Sequence, residues 1–306
     1  MPDRPRTFPA PETVAVVLAV FNGERFLGAA LASVFAQSRV PDEVIVVDDG
    51  STDSSGQTAR SHPGVRVIRQ ENQGLSAARN TGLAAVQSDA VVFLDDDDRM
   101  LPENLATGLR LLSAYPQAAF VAGCATPIDA AGTRTSPDKR LGSPGTCSFA
   151  TLLAGHSFVP PSTVMFRRAA FEATGPFDTA LRSGCEDLDI YLRMARVFEV
   201  HAHPALIVEY RRHGRNITRN RARLLKASLD LLERNRALVA DDPELKAALE
   251  AGRRRWIATY GPGLPSEAAG HLKQGHILPA VRAIGAALRY HPQGLWRYLY
   301  GKLGRG

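Results

Sequence analysis

The sequence predicts an α/β fold, a mostly parallel mixed sheet with helices on both faces, followed by a helical extension. Three observations carry this. Between residues 14 and 114, short apolar runs alternate with segments of helical spacing. Two of those runs end in clustered acids, Asp48-Asp49 and Asp95-Asp96-Asp97-Asp98. After about residue 220 the strand pattern stops and leucines recur at helical intervals.

The elements follow in order. Val14–Val20 is a nearly unbroken apolar run, which suits a strand covered on both faces. Glu24–Gln37 places Phe26, Leu27, Ala30, Leu31, Val34 and Phe35 on one helical side. Strands are predicted at Glu43–Val47, Val65–Ile68, Ala90–Leu94 and Ala118–Cys124, with helices at Ala77–Val86 and Pro102–Ala114. Residues 126–148 are rich in Pro, Gly, Ser and Thr and read as loops or short hairpin strands. Further strands are expected at Thr163–Phe166 and Leu206–Tyr210, and helices at Arg168–Thr174 and Asp187–Val197. In the extension, Leu224, Leu225, Leu229, Leu231 and Leu232 keep helical spacing, and the pattern returns at Ile277–Leu288 and at Leu295, Leu299 and Leu303. The expected organisation is a flexible tail at 1–12, a domain at 13–218 in two halves (13–125 and 126–218), and a basic helical extension at 219–306.

Composition excludes several classes. Hydrophobic content of 44% and charged content of 22% are those of a globular chain. Cys124, Cys147 and Cys185 are odd in number and widely spaced, so neither a disulfide framework nor a zinc site is expected. No basic start precedes an apolar stretch, and no apolar run approaches the roughly 20 residues that span a bilayer. A cytoplasmic protein follows as the expectation. Charge is uneven: residues 1–200 hold 18 Lys and Arg against 23 Asp and Glu, and residues 201–306 hold 19 against 8. The basic back suits phospholipid head groups or a phosphate-bearing acceptor, or is simply a solvated surface.

In sheets of this kind ligands bind beyond the carboxyl ends of the strands. Asp48 and Asp49 stand there in Val47-Asp48-Asp49-Gly50-Ser51-Thr52-Asp53, where an acid can accept from a base or ribose, or the segment can be a turn and helix cap. Asp95–Asp98 form four consecutive acids at a buried strand's end. They repel one another without a cation, and oxygen ligands suit Mg²⁺ or Mn²⁺. Gly74 opens a helix whose amide end favours anions, with Arg79 one turn in. Glu186-Asp187 begins an amphipathic helix, and His213 lies in a basic run, Tyr210-Arg211-Arg212-His213-Gly214-Arg215. No phosphate loop, nucleophile elbow or His-Glu-x-x-His zinc helix occurs.

Taken together, Phe21-Asn22 after the first strand, VDDGSTD, Gly-x-x-x-Ala-Arg-Asn, LDDDD and an ED pair about 90 residues later resemble the family 2 inverting glycosyltransferases of the GT-A (Rossmann-like) fold. The resemblance covers roughly residues 13–215. It implies a divalent cation, Mn²⁺ or Mg²⁺, and a nucleotide-diphosphate sugar donor. It implies donor contacts for Asn22, Asp48, Asp49, Arg79, Asp95 and Asp96, with Asp49 at the base. Asp95, Asp97 and His213 become metal ligands, Asp97 first among them, with the register of the acid run open by one residue. Asp187 becomes the general base, with Glu186 beside it. The absence of a Gln-x-x-Arg-Trp motif and of spanning helices implies a non-processive bacterial type. The acceptor implied is a glycan or lipid-linked hydroxyl in cell-envelope assembly. The basic extension, with Trp256, Trp296, Tyr298 and Tyr300, suggests peripheral contact with the inner face of the plasma membrane, packing against the domain, or a homodimer contact.

The rival readings are a GT-A module that binds a nucleotide sugar without catalysis, a nucleotidyltransferase, and a nucleic-acid binder. The second lacks a glycine-rich loop after the first strand, and the acidic front argues against the third.

Overall fold

The computed structural model describes residues 7–135, 147–155, 160–181, 184–214 and 220–303. It divides into two compact units. One comprises residues 1–149, 157–182 and 186–213, the other residues 150–156, 183–185 and 214–306.

The first unit is built on an eight-stranded mixed sheet in the order β3-β2-β1-β4-β7-β6-β8-β5. The strands are β1 (Val14–Val20), β2 (Glu43–Asp48), β3 (Val65–Arg69), β4 (Ala90–Asp95), β5 (Arg99–Met100), β6 (Ala118–Ile128), β7 (Val164–Arg167) and β8 (Glu199–Arg211). β1 to β4 run parallel, β7 is antiparallel to both β4 and β6, and β6 pairs with β8 in parallel. Helices α1 (Glu24–Phe35), α2 (Ser55–Arg60), α3 (Leu75–Ala85) and α4 (Asn104–Ala114) connect the first strands. They are followed in this unit by α6 (Ala170–Thr174) and α7 (Glu186–Ala195), whereas the short α5 (Phe149–Leu153) belongs to the second unit but for Phe149.

The period-2 alternation of the strands divides their side chains between two cores. Val16 and Leu18 of β1 and Val92 and Leu94 of β4 pack with Leu27, Leu31 and Val34 of α1 and with Leu105 and Leu112 of α4. On the other face Phe93 meets Phe166 and Phe177 edge-on, with ring centroids 5.9 and 5.0 Å apart, and Phe120 meets Tyr191 at 5.3 Å. α3 rests against that second face through Gly82, where a Cβ would stand 2.3 Å from Val17 Cγ1.

Two strands are longer than their apolar runs predict. β6 continues through Thr126 and Pro127 to Ile128, and β8 begins seven residues before Leu206, at Glu199. Each forms the ladder partner of the other, with register shifts, so long-range pairing extends both past their local signal. Helix α2 has no apolar stripe and is set by its packing against α1 and β3. Residues 7–12 of the expected tail lie on the domain: Phe8 N donates to Pro116 O at 2.8 Å, and Arg167 Nη1 donates to Pro9 O at 2.6 Å. Residues 136–146 of the 126–148 loop, and residues 215–219 at the expected end of the domain, lie outside the described residues.

The second unit consists mainly of α8 (Arg221–Asn235), α9 (Pro243–Tyr260), α10 (Leu264–Lys273), α11 (Ile277–Tyr290) and α12 (Pro292–Leu303). Asn220 caps α8 by accepting from Arg223 N, and Asp242 caps α9 by accepting from Glu244 N and Leu245 N. Leu225, Leu229, Leu231 and Leu232 are buried as their spacing predicts. Trp256, for which the sequence left membrane docking, packing and a dimer contact open, is an interior residue, 8% exposed and stacked on Tyr260.

Candidate active site

The acids gather at the carboxyl ends of β2 and β4 because of register. Val20 lies opposite Asp48 across β1 and β2, and Ala19 lies opposite Asp95 across β1 and β4. The strand ends therefore deliver three loops to one place. Asn22, at φ 54°, accepts from Thr52 N at 2.9 Å, and its own N donates to Ser51 Oγ at 3.0 Å. Asn is among the few side chains that tolerate this left-handed backbone.

Asp48 and Asp49 are buried and engaged by the protein. Asp48 accepts from Ser51 N at 2.8 Å and from Arg69 Nη1 at 2.6 Å. Asp49 accepts from Gln70 Nε2 at 2.7 Å, Gln73 N at 2.9 Å and Gly74 N at 2.8 Å. Asp49 thus takes the N–H of Gly74, the cap residue before α3, whose amide end is read from the sequence as favouring anions. Asp49 fixes the segment from Gln70 to Gly74, and Gly74 enters α3 at φ 94°.

The run Asp95–Asp98 splits among four tasks. Asp95 Oδ1 accepts from Arg79 Nη2 at 2.7 Å. Asp96 lies over Gly23, where a Cβ would come within 1.8 Å of its Oδ2, so only glycine leaves it that place. Asp97 Oδ2 meets His213 Nε2 at 2.7 Å, and the imidazole packs on Phe26 with centroids 4.9 Å apart. Asp98, fully buried, accepts from Ser162 Oγ at 2.7 Å and from Arg211 N at 2.9 Å. Ligand atoms of Asp95, Asp97 and Asp98 lie within 4.8 Å of one another.

Burial pushes Asp96 up to about 8, helped by the charges of Asp97 and Asp95. Burial and the same kind of crowding raise Asp97, where His213 opposes them, and raise Asp98 well above the carboxylate range.

Arg79 joins this cluster to the ED pair. It is 2% exposed and donates to Asp95 and, through Nη1, to Glu186 Oε1 at 3.1 Å. Burial alone would weaken its charge, yet Asp95, Glu186 and Asp187 outweigh that and hold it fully protonated. Asp187 accepts from Leu188 N at 2.7 Å. Burial first, and then the charge of Glu186, push its carboxyl up to about 7, against the pull of Arg79.

The structure therefore brings Arg79, Asp95, Glu186 and Asp187 into one network and Asp97 and His213 into another, joined through the acid run. Asn22, Asp48 and Asp49 stand beside them on the β1 and β2 loops.

The model of Glycosyl transferase family 2 matches residues 15–175, more than half of the chain and the segment that carries every strand from β1 to β7. The chain belongs to glycosyltransferase family 2. GlyA of Streptococcus pneumoniae, a glycosyltransferase, is 36% identical over 108 residues, 34% of this chain and 16% of that protein. The succinoglycan biosynthesis protein ExoU of Rhizobium meliloti is 31% identical over 207 residues, 61% of this chain and 58% of that one. The chain thus spans less than two thirds of either relative. Among solved structures, the mannosyltransferase PcManGT of Pyrobaculum calidifontis, held with GDP-Man and Mn²⁺, aligns with TM-score 0.62 and 20% identity over 93% of this chain and 90% of that one. The likeness establishes the GT-A fold.

Three residues of this family 2 site escaped sequence reading. Asp98 was visible only as one acid of four. Arg211 stood in a basic run with no sign that its backbone N–H meets an aspartate. Ser162 lies 64 residues from Asp98 with no local pattern to mark it. Only the sheet, which sets β7 beside β4, pairs them.

Proposed function

We propose that the chain is a metal-dependent, inverting, non-processive glycosyltransferase that moves a sugar from a nucleotide-diphosphate donor to an acceptor hydroxyl in cell-envelope polysaccharide or glycolipid assembly. The observation that carries this reading is Arg79, which ties the carboxylates suited to a cation to the pair containing Asp187.

The donor set fits a hard divalent cation. Asp95 and Asp97 offer close oxygens, and His213 stands on Asp97. Asp98, already engaged by Ser162 and Arg211, fixes the loop that presents them. A cation held there supplies positive charge to the diphosphate oxygens as the glycosyl bond breaks. Asn22, Asp48, Asp49 and Asp96 face the nucleotide side in this reading.

Asp187 takes the proton from the acceptor hydroxyl. The hydroxyl oxygen then bonds to the anomeric carbon as the bond from that carbon to the diphosphate oxygen breaks. Attack opposite the leaving group inverts the anomeric configuration. One base suffices, and no covalent enzyme intermediate forms. A carboxyl near 7 suits a base working near neutral pH. Glu186 positions Arg79 and keeps the proton affinity of Asp187 high.

Asp187→Asn tests this. Turnover should fall by about 10² to 10⁴-fold, while Mn²⁺-dependent donor binding, followed by calorimetry, is kept. Unchanged turnover would remove Asp187 from the role of base. Loss of donor binding with turnover would make it a donor contact instead. ExoU is a succinoglycan biosynthesis protein, and the polysaccharide acceptor of this reading is carried over from such a relative.

A further inference from the structure

We propose that α11 and α12 form a docking face for the surface of an anionic lipid bilayer. This stands independently of the chemistry proposed above.

The argument begins with which side of α11 is buried. Ala280, Ala283 and Ala287 are fully buried. The large apolar side chains point outward instead: Ile277, Leu278, Val281 and Leu288 are 61%, 61%, 58% and 52% exposed. An amphipathic helix of a globular unit ordinarily buries its large apolar stripe. Here α11 packs on α10 and α8 through its alanines and leaves the larger side chains uncovered. Ile277, Val281 and Leu288 recur at helical spacing, so they form one stripe. Leu272 on α10 and Trp296 and Tyr300 on α12 are exposed as well, and a Trp and a Tyr four residues apart offer rings with an apolar body and a polar tip.

Charge decides the occupant. After Glu267 the sequence has no Asp or Glu, while Lys273, Arg282, Arg289, Arg297, Lys302 and Arg305 are all basic. Among them Lys273, Arg282, Arg289 and Arg297 are exposed. An apolar stripe on helices that carry exposed cations and no carboxylate matches a surface that is apolar below and anionic above. A second copy would set like charges against one another in a two-fold contact. A nucleic acid would leave the aliphatic stripe uncovered. α11 has 14 residues and α12 has 12, and among the described residues no helix is long and apolar enough to cross a membrane. The helices therefore lie on the surface rather than through it.

The test uses the full chain and vesicles of phosphatidylcholine with or without phosphatidylglycerol. The wild type should co-float with the anionic vesicles, weaken as salt rises, and shift Trp296 emission to the blue, a shift absent from Trp296→Phe. Ile277→Ser/Val281→Ser/Leu288→Ser replaces exposed side chains, so its thermal melt should match the wild type while vesicle affinity falls about tenfold or more. Arg282→Glu/Arg289→Glu should lose affinity for anionic vesicles to a similar degree, and it tests the face even if the serine variant misfolds. The proposal is overturned if the wild type ignores anionic vesicles at low salt, if it binds neutral ones equally, or if neither variant weakens binding. It is also overturned if the wild type is a dimer that the serine variant dissociates and vesicles do not compete for, since a second copy would then own the face.

Discussion

Asp187 is where one residue's surroundings make the sharpest claim. Its carboxyl is pushed up to about 7 by burial and by Glu186. A base must be deprotonated to act, so kcat/KM should rise with pH, about tenfold per unit below that value, and level off above it. Glu186→Gln removes the neighbouring negative charge, and the midpoint should then move to lower pH. A pH–rate profile of the two proteins measures this, and a midpoint that stays in place would show that Glu186 does not couple to the base. At this scale the sequence was informative where chemistry is packed into a few consecutive residues. Asp48 and Asp95 end the two strands that flank β1, Glu186 reaches the same cluster through Arg79, and His213 meets Asp97. It was silent where a partner comes from far along the chain, as with Ser162 on Asp98 or Glu186 on Arg79, 107 residues away. Nor did it show that Asp49 holds the Gly74 N–H at the entry to α3.

Among the elements, α3 carries Arg79 to the site, and its depth against the sheet depends on Gly82. A Cβ there would meet Val17 Cγ1 at 2.3 Å and Val47 Cγ2 at 3.3 Å. Both neighbours are buried strand side chains, fully enclosed between sheet and helix, with little room to give. Gly82→Ala should therefore destabilise the protein by about 1–3 kcal/mol despite the better helix propensity of alanine. Denaturant unfolding checks it, and a variant as stable as the wild type would mean that α3 can lift without cost. Elements with strong periodicity, such as β1, α1 and α4, were legible to within a few residues because their signal is local. β6 and β8 were legible only in part, because much of each is held by the other. α11 shows the opposite limit: its period was plain from the sequence, but not which side faces solvent, since that depends on what the rest of the unit covers.

The acids Asp95–Asp98 also weigh on the molecule as a whole. Arg79, Arg211 and His213 oppose this charge in part, and at Asp96, Asp97 and Asp98 the metal-free protein holds protons that the unfolded chain has released. Asp96, raised to about 8 from an ordinary value of 3.8, sets the window. Between those values the folded state binds more protons than the unfolded one, so stability must fall as pH rises. A divalent cation favours the deprotonated acids, and its stabilisation should grow over the same range. Metal-stripped protein should therefore melt lower at pH 8 than at pH 6, and the gain on adding Mn²⁺ should be larger at pH 8, by about 3 °C or more. Scanning calorimetry at the two pH values, with and without Mn²⁺, makes the comparison. A metal-free melting point that rises from pH 6 to 8, with a pH-independent Mn²⁺ gain, would mean that hydrogen bonds within the chain already satisfy the acids. In that case the acid run would be a structural network, and the case for a cation at Asp95 and Asp97 would fall with it.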